Sequence, residues 1–473
     1  MINFTNTYSK LPSSFFEEVM PEKVSSPKLL CFNEKLADTL GINYQNSSVD
    51  DLAQIFSGSK LLPGSNPIAM AYAGYQFGHP VFQLGDGRAH LLGEVKGFDI
   101  QLKGSGKTKF SRNGDGKSAL GPVIREYLVS EAMHALGVPT SRSLCAVATG
   151  DEVLRQDGFE PGGIFTRVAD SHIRVGTFQY FSFRKDINSI KTLLNYAIKR
   201  HYPDLKKYSN EKDKAIEFLK KIIENQSDLI AKWSSLGFIH GVMNTDNFSI
   251  AGITIDYGPC AFLDEFKYDK VFSSIDRNGR YSFFNQVPIA KWNILRLAEC
   301  FLPLISDNQK EALQIIESEV VALLDIFDKK RMTLLGEKIG IKNLKASDET
   351  LVHQFLAYLE KESLDFTLAF REITNLYNAT STFFPKTKDL ASFIESWRDR
   401  VSLVPQLNEI NPIYIPRNHL VQKAIDEAYE GNYDFFNQLL KVISDPYREK
   451  NGLEKFAHAP EPHERVYQTF CGT

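Results

Sequence analysis

The stretch HGVMNTDN (240–247), followed by DYG (256–258), has the outline of a kinase catalytic centre. Kinases carry a His-Arg-Asp loop that ends in a metal-binding Asn, and a later Asp-Phe-Gly supplies a second metal ligand. Laying H-R-D-L-x-x-x-N on this stretch puts His on His240 and Asn on Asn247. The base position then falls on Val242, which cannot accept a proton. The metal ligands are present and the usual base is not. Either the chain is catalytically silent, or its chemistry differs from γ-phosphoryl transfer.

Working outward, FSIAGITIDYG (248–258) reads as a hairpin of two short strands that returns Asp256 to the side of Asn247. A carboxylate and an amide oxygen so placed suit magnesium, a hard cation that shares its oxygen ligands with phosphates. Each motif alone is ordinary turn chemistry; the two together, with His240 in place, favour a site. Upstream, PVFQLGDGRAHLLGEV (80–95) reads as strand, glycine turn, strand, and FDIQLKGSG (98–106) as a further strand. Lys103 ends that strand, where kinases place the phosphate-pairing lysine, and Glu126 in the helix IREYLVSEAMHALG (124–137) is its candidate partner. A solvated strand-end lysine and an exposed helix glutamate are the bland alternatives. KGSGKT and GDGKS are not P-loops, because Gln101 and Ser111 stand where the motif needs its first glycine.

Around this centre the chain divides by pattern. Residues 1–65 read as an extension wrapping the core, with a short helix at 33–40; 66–180 as a β-rich N-lobe with nucleotide-binding loops; and 181–473 as a helical C-lobe with the catalytic loop and a cysteine-bearing tail. The helices expected there include 214–237, 289–305 and a stretch from 308 to 335. The fold class predicted is α+β, a bilobal protein-kinase-like fold. A formal net charge of −3 gives no reason to expect nucleic-acid binding. Five cysteines without a CxxC argue against a disulfide framework and a zinc site. The absence of a signal-like start or a membrane-length apolar run predicts a cytoplasmic protein with no membrane association.

The combination of NTYSKLP, GYQFGHP, QLGDGRAHLLGE, QLKGSG, IREYLVSEAMHALGVPT and HGVMNTDNFSI…TIDYGPCAFLD resembles the selenoprotein O family, in its bacterial cysteine-containing branch. The resemblance runs from about residue 6 to the terminal Phe-Cys-Gly-Thr. It implies a pseudokinase that binds ATP in a flipped orientation and moves AMP to Ser, Thr or Tyr hydroxyls of proteins, releasing pyrophosphate. It implies that Gly85, Gly87 and Arg88 contact the nucleotide and that Lys103, Asp115, Gly116, Arg167 and Arg174 surround the phosphates. It makes Asp246 the general base, Asn247 and Asp256 the ligands of Mg2+ or Mn2+, and Glu126 the partner of Lys103. Two positions depart from the family's pattern. The run SALGPVIRE (118–126) lacks an arginine usual in that turn, and Phe272 stands where some relatives carry a second cysteine opposite the position of Cys471. Other readings are a small-molecule phosphotransferase, a non-catalytic ATP-binding pseudokinase, and UMP transfer in place of AMP. The sequence leaves the oligomeric state open.

Overall fold

The computed structural model describes residues 2–470 apart from Asp157. Its strands are β1 (Phe16–Glu18), β2 (Lys28–Phe32), β3 (Ile68–Met70), β4 (Gly74–Gln76), β5 (His79–Val81), β6 (Ala89–Val95), β7 (Phe98–Lys103), β8 (Arg142–Arg155), β9 (Gly158–Ala169), β10 (Phe238–Ile239) and β11 (Ala261–Phe262). Seven of them form one antiparallel sheet in the order β1-β3-β6-β7-β9-β8-β2. The first 65 residues therefore supply both edge strands. The molecule is α+β, with its strands concentrated in the first half of the chain and its helices in the second.

The helices that position the site are α1 (Glu34–Leu40), α2 (Val49–Phe56), α3 (Leu120–Ala135), α4 (Val175–Ser182), α5 (Ile187–His201), α6 (Glu211–Leu236), α7 (Gln286–Ile305), α8 (Gln309–Glu319) and α9 (Ile326–Lys338). Their ends follow local chemistry. Asn33 caps α1 by accepting from the Leu36 amide, and Gly41 closes it at φ 69°. Asn210 and Gly237 do the same for α6. One face of the sheet buries Ile100, Leu102, Leu144 and Ile164 against α1 and α2. α3 packs against the other face. Two helices from the end of the chain, Asn418–Tyr429 and Asp434–Ile443, cover α3 in turn, so the last part of the sequence buttresses the β-rich part. The largest core joins α4 to α7 through Phe178, Phe218 and Phe301.

Three expectations change. The segment 80–95 is not a strand–turn–strand hairpin: β5 pairs with β4, and β6 pairs with β7. The GDG turn instead bends inward and buries Asp86, whose carboxylate accepts from the Met70 amide and from Gln101 Nε2, each at 3.1 Å. The segment 248–258 is not a self-paired hairpin either. Ser249 bridges to Arg174 and Thr254 to Thr140, so both halves find partners elsewhere in the chain. The single stretch expected over 308–335 is two helices, α8 and α9, separated by a 3-10 turn at Val321–Leu323.

The segment around β10 and β11 is held from behind by Arg417. It is fully buried, donating Nη1 to Asp264 Oδ1 at 3.0 Å and pairing with both oxygens of Asp365, at 2.8 and 3.2 Å. Its neighbour Asn418 exchanges two hydrogen bonds with the backbone of Phe262 in β11. Truncating one member of a buried pair leaves uncompensated charge and costs about 3–5 kcal/mol. Arg417→Leu is therefore expected to lower stability by about that amount, read as a drop in the urea denaturation midpoint. An unchanged midpoint would show that the cluster does not hold this region.

Candidate functional site

β7 and β9 are neighbours with Gln101 opposite Arg167. Because side chains alternate along a strand, Gln101, Lys103 and Arg167 share one face while Ile100 and Leu102 enter the core. Lys103 Nζ lies 2.6 Å from Glu126 Oε2 on α3 and 2.6 Å from Asp256 Oδ1. Arg167 is 2% exposed; its Nη1 donates to Asp256 Oδ1 at 2.8 Å and reaches Glu126 Oε1 at 3.3 Å. Its Nη2 donates to Gln101 Oε1 at 2.6 Å. Arg174 lies over the Tyr72 ring at 4.2 Å, with guanidinium nitrogens 3.9 Å from Asp86 Oδ1 and 4.0 Å from Asp256 Oδ2. The Arg174 Nη2 has no hydrogen-bond partner. Three cations thus face Asp86, Glu126 and Asp256.

Asp256 sits at φ 62°, an uncommon backbone region that aspartate tolerates better than most residues. Burial alone would raise its pKa. Arg167, Lys103 and Arg174 outweigh that and hold it well below the usual carboxylate range. The loop before it is tied in by His240. Nε2 of this residue bonds the Ile255 carbonyl at 2.9 Å, and the Val242 amide approaches its Nδ1 at 3.4 Å. Asn247 donates Nδ2 to the Val242 carbonyl at 3.0 Å. A short run of hydrogen bonds therefore links the Asn247 loop to the residue preceding Asp256.

Asp246 differs in kind. It lies in the 3-10 turn Thr245–Asn247, is 8% exposed, and its Oδ1 has no hydrogen-bond partner. Burial raises its pKa to about 6, opposed by a backbone amide and by Arg174. The β4–β5 hairpin clamps this turn. The Tyr75 amide donates to Thr245 Oγ1 at 2.7 Å, the Phe77 amide to Asn244 Oδ1 at 3.0 Å, and the Gln76 side chain reaches the Asp246 carboxylate. A Cβ at Gly74 would stand 2.8 Å from Asp246 Oδ1.

The remaining residues fall in two places. Gly85 packs so closely on Phe110 that a Cβ there would lie 2.2 Å from the ring, and Gly87 meets the Phe110 carbonyl. Arg88 lines a small cavity with Lys103, Glu126, Tyr257 and Phe470. Asp115 and Gly116 lie in a separate loop. There Arg155 holds Asp115 at 2.9 Å and Gly116 accepts from the Gly106 amide at 3.0 Å. Among the described residues no hydrogen bond or ion pair joins Asp115 to the Asp256 cluster. Phe272 is buried, and its carbonyl accepts from the Thr469 amide. Cys471 lies outside the described residues.

Sequence reasoning missed Asp86, Gln101, Gly74 and Gly176. Gln101 was detectable from its alternation with Lys103. Asp86 sat within a quoted turn whose inward bend has no local signal.

The donor set suits a hard divalent ion: the Asp256 carboxylate, whose Oδ2 has only the distant Arg174, and the Asn247 amide oxygen. The described residues hold no cluster of three or more His, Cys, Asp or Glu able to bind a metal unaided. Such an ion would complete its shell with phosphate oxygens and water.

The family model described as protein adenylyltransferase SelO matches residues 1–444. Among curated proteins, the chain is 48% identical to a protein nucleotidyltransferase YdiU of Rhodopseudomonas palustris (strain HaA2), over 99% of each sequence. It is 46% identical to the protein of the same name from Agrobacterium fabrum, over 100% of both. A third, from Nitrobacter winogradskyi, is 45% identical over 100% of this chain and 96% of its own. The chain belongs to the protein adenylyltransferase SelO family and is, by that membership, a nucleotidyltransferase.

Proposed function

We propose that this chain moves AMP from ATP to a Ser, Thr or Tyr hydroxyl of a protein substrate, on a bilobal kinase-like fold that receives the nucleotide in the flipped orientation. The observation that carries the reading is Asp246: a buried carboxylate with an unpartnered oxygen, beside a position, Val242, that offers only a methyl pair. The acceptor O–H gives its proton to Asp246 Oδ1. The acceptor oxygen forms a bond to the α-phosphorus, and the bond from that phosphorus to the bridging oxygen breaks. Pyrophosphate leaves with the electron pair. Lys103, Arg167 and Arg174 face the phosphates and stabilise the charge on the departing group. Gly85, Gly87 and Arg88 line the nucleotide's approach, and Asp115 with Gly116 shape the loop that covers it. Asn247 and Asp256 would hold magnesium or manganese, which supplies divalent charge against the triphosphate oxygens. Cytoplasmic action fits a nucleotide-dependent enzyme with protein substrates; no described helix is long and apolar enough to cross a membrane.

The orientation is tested with labelled nucleotide. The α-label is expected to stay on the acceptor protein and the γ-label to leave in pyrophosphate, with UTP run in parallel to rank the bases. A γ-label retained on the acceptor would replace this reading with phosphotransfer. Asp256→Asn should abolish transfer, because it removes the one carboxylate shared by Lys103, Arg167 and the metal position.

The pH profile tests the base. Asp246 works only when deprotonated, and its folded pKa of about 6 lies above the ordinary carboxylate value. The rate of transfer should therefore fall as pH drops through about 6. Asp246→Asn should retain ATP binding, lose about 10²–10⁴-fold in rate, and lose that acid limb. An acid limb that survives the substitution would place the base elsewhere.

A further inference from the structure

A groove of about 530 Å3 opens beside the Asp246 turn, lined among others by Phe77, Ile275, Arg277, Arg280, Asn285 and Ile289. Phe77 connects it to the turn that carries the candidate base. Phe77 follows Gln76, whose side chain touches Asp246, and its amide bonds Asn244 two residues before that carboxylate. The buried Tyr281, next to Arg280, donates its hydroxyl to the same Asn244 oxygen.

The groove is electropositive. Neither Arg277 nor Arg280 has a carboxylate within 4.0 Å among the described residues. Arg280 stacks 4.8 Å from the Trp292 ring, lies over Gly78, and has a buried Nε without a hydrogen-bond partner. The one acidic lining residue, Asp276, is already spent: its two oxygens accept from the backbone amides of Arg280 at 2.9 Å and Tyr281 at 2.7 Å. The groove also holds the start of the 20-residue helix α7, which has no side-chain cap and no acidic residue in its first turn. That end adds partial positive charge. Ile275 stands 52% exposed beside the arginines, an apolar contact with nothing on it.

We infer that this groove docks the acceptor segment of the protein substrate and selects segments with aspartate or glutamate close to the modified hydroxyl. The inference rests on the transfer reading above and names its substrate class. An extended segment whose acidic residues meet Arg277 and Arg280 presents its neighbouring hydroxyl toward Asp246. A segment rich in lysine meets two guanidinium groups that no carboxylate pairs among the described residues, and a helix N-terminus of the same sign.

The test compares two fluorescent tyrosine peptides, one flanked by glutamates and one by lysines, in the full-length protein. Binding is read by anisotropy without nucleotide, and transfer separately from α-labelled ATP. The glutamate peptide is expected to bind about three- to tenfold tighter, the sum of two exposed ion pairs, with the difference shrinking as salt rises. Arg277→Glu should erase or reverse the preference, and Arg280→Gln should weaken it. Equal binding of the two peptides by the unmodified protein overturns the proposal, as does an unchanged preference in folded Arg277→Glu. If the glutamate peptide binds selectively but receives no α-label, the groove stands and the transfer reading falls.

Discussion

The Asp256 carboxylate is the contact on which the rest of the site depends. Its Oδ1 alone receives Lys103 from β7 and Arg167 from β9, and both cations also reach Glu126 on α3. Four separate parts of the chain therefore meet in one cluster, two of them on a single oxygen. A buried ion network of this kind adds little net stability, because desolvating the charges offsets their attraction. Its value lies in geometry. It fixes the cations on one face of the sheet, balanced by carboxylates that a polyanion could replace as partners. Asp256 accepts a positive φ to reach them. Backbone strain of roughly 1–3 kcal/mol of this kind persists where the surroundings over-determine it.

Much of this was legible in the sequence because it is written in short-range patterns. Alternation in FDIQLK puts Lys103 on the face opposite Ile100 and Leu102, and the helix expected at 33–40 is α1 with its Asn33 cap, whereas α6 begins three residues before the expected 214, after the Asn210 cap. The pairing of Lys103 with Glu126 followed from placing the two motifs in order along the chain. What was not legible is partner choice. Residues 80–81 carry the same alternation whichever strand they join, and tertiary packing sends them to β4. Residues 248–258 have strand-like composition, yet their two halves bridge to Arg174 and Thr140 because those segments lie on either side of the loop. The resemblance placed Asp115 around the phosphates; its contacts here run to Arg155 and the Lys117 amide.

Asp246 and Asp256 show how packing can give like groups opposite characters. Asp246 is buried and Asp256 partly so, and desolvation pushes both upward. Asp256 is surrounded by Arg167, Lys103 and Arg174, which hold it ionised. Asp246 has one distant cation and a glycine-lined wall. Gly74 is pressed against Asp246 Oδ1, and a Cβ at Gly176 would lie 3.3 Å from Asp246 Cα and 2.1 Å from the Ala73 carbonyl. Side chains at either position would push the β4–β5 hairpin off the turn, admitting water to the carboxylate and lowering its proton affinity. The glycines therefore do chemical work through close approach. They let backbone dry the carboxylate without hydrogen-bonding Oδ1, which stays buried and without a partner. The same hairpin forms a wall of the arginine-lined groove through Phe77. One element thus packs both against the Asp246 turn and along the arginine-lined groove.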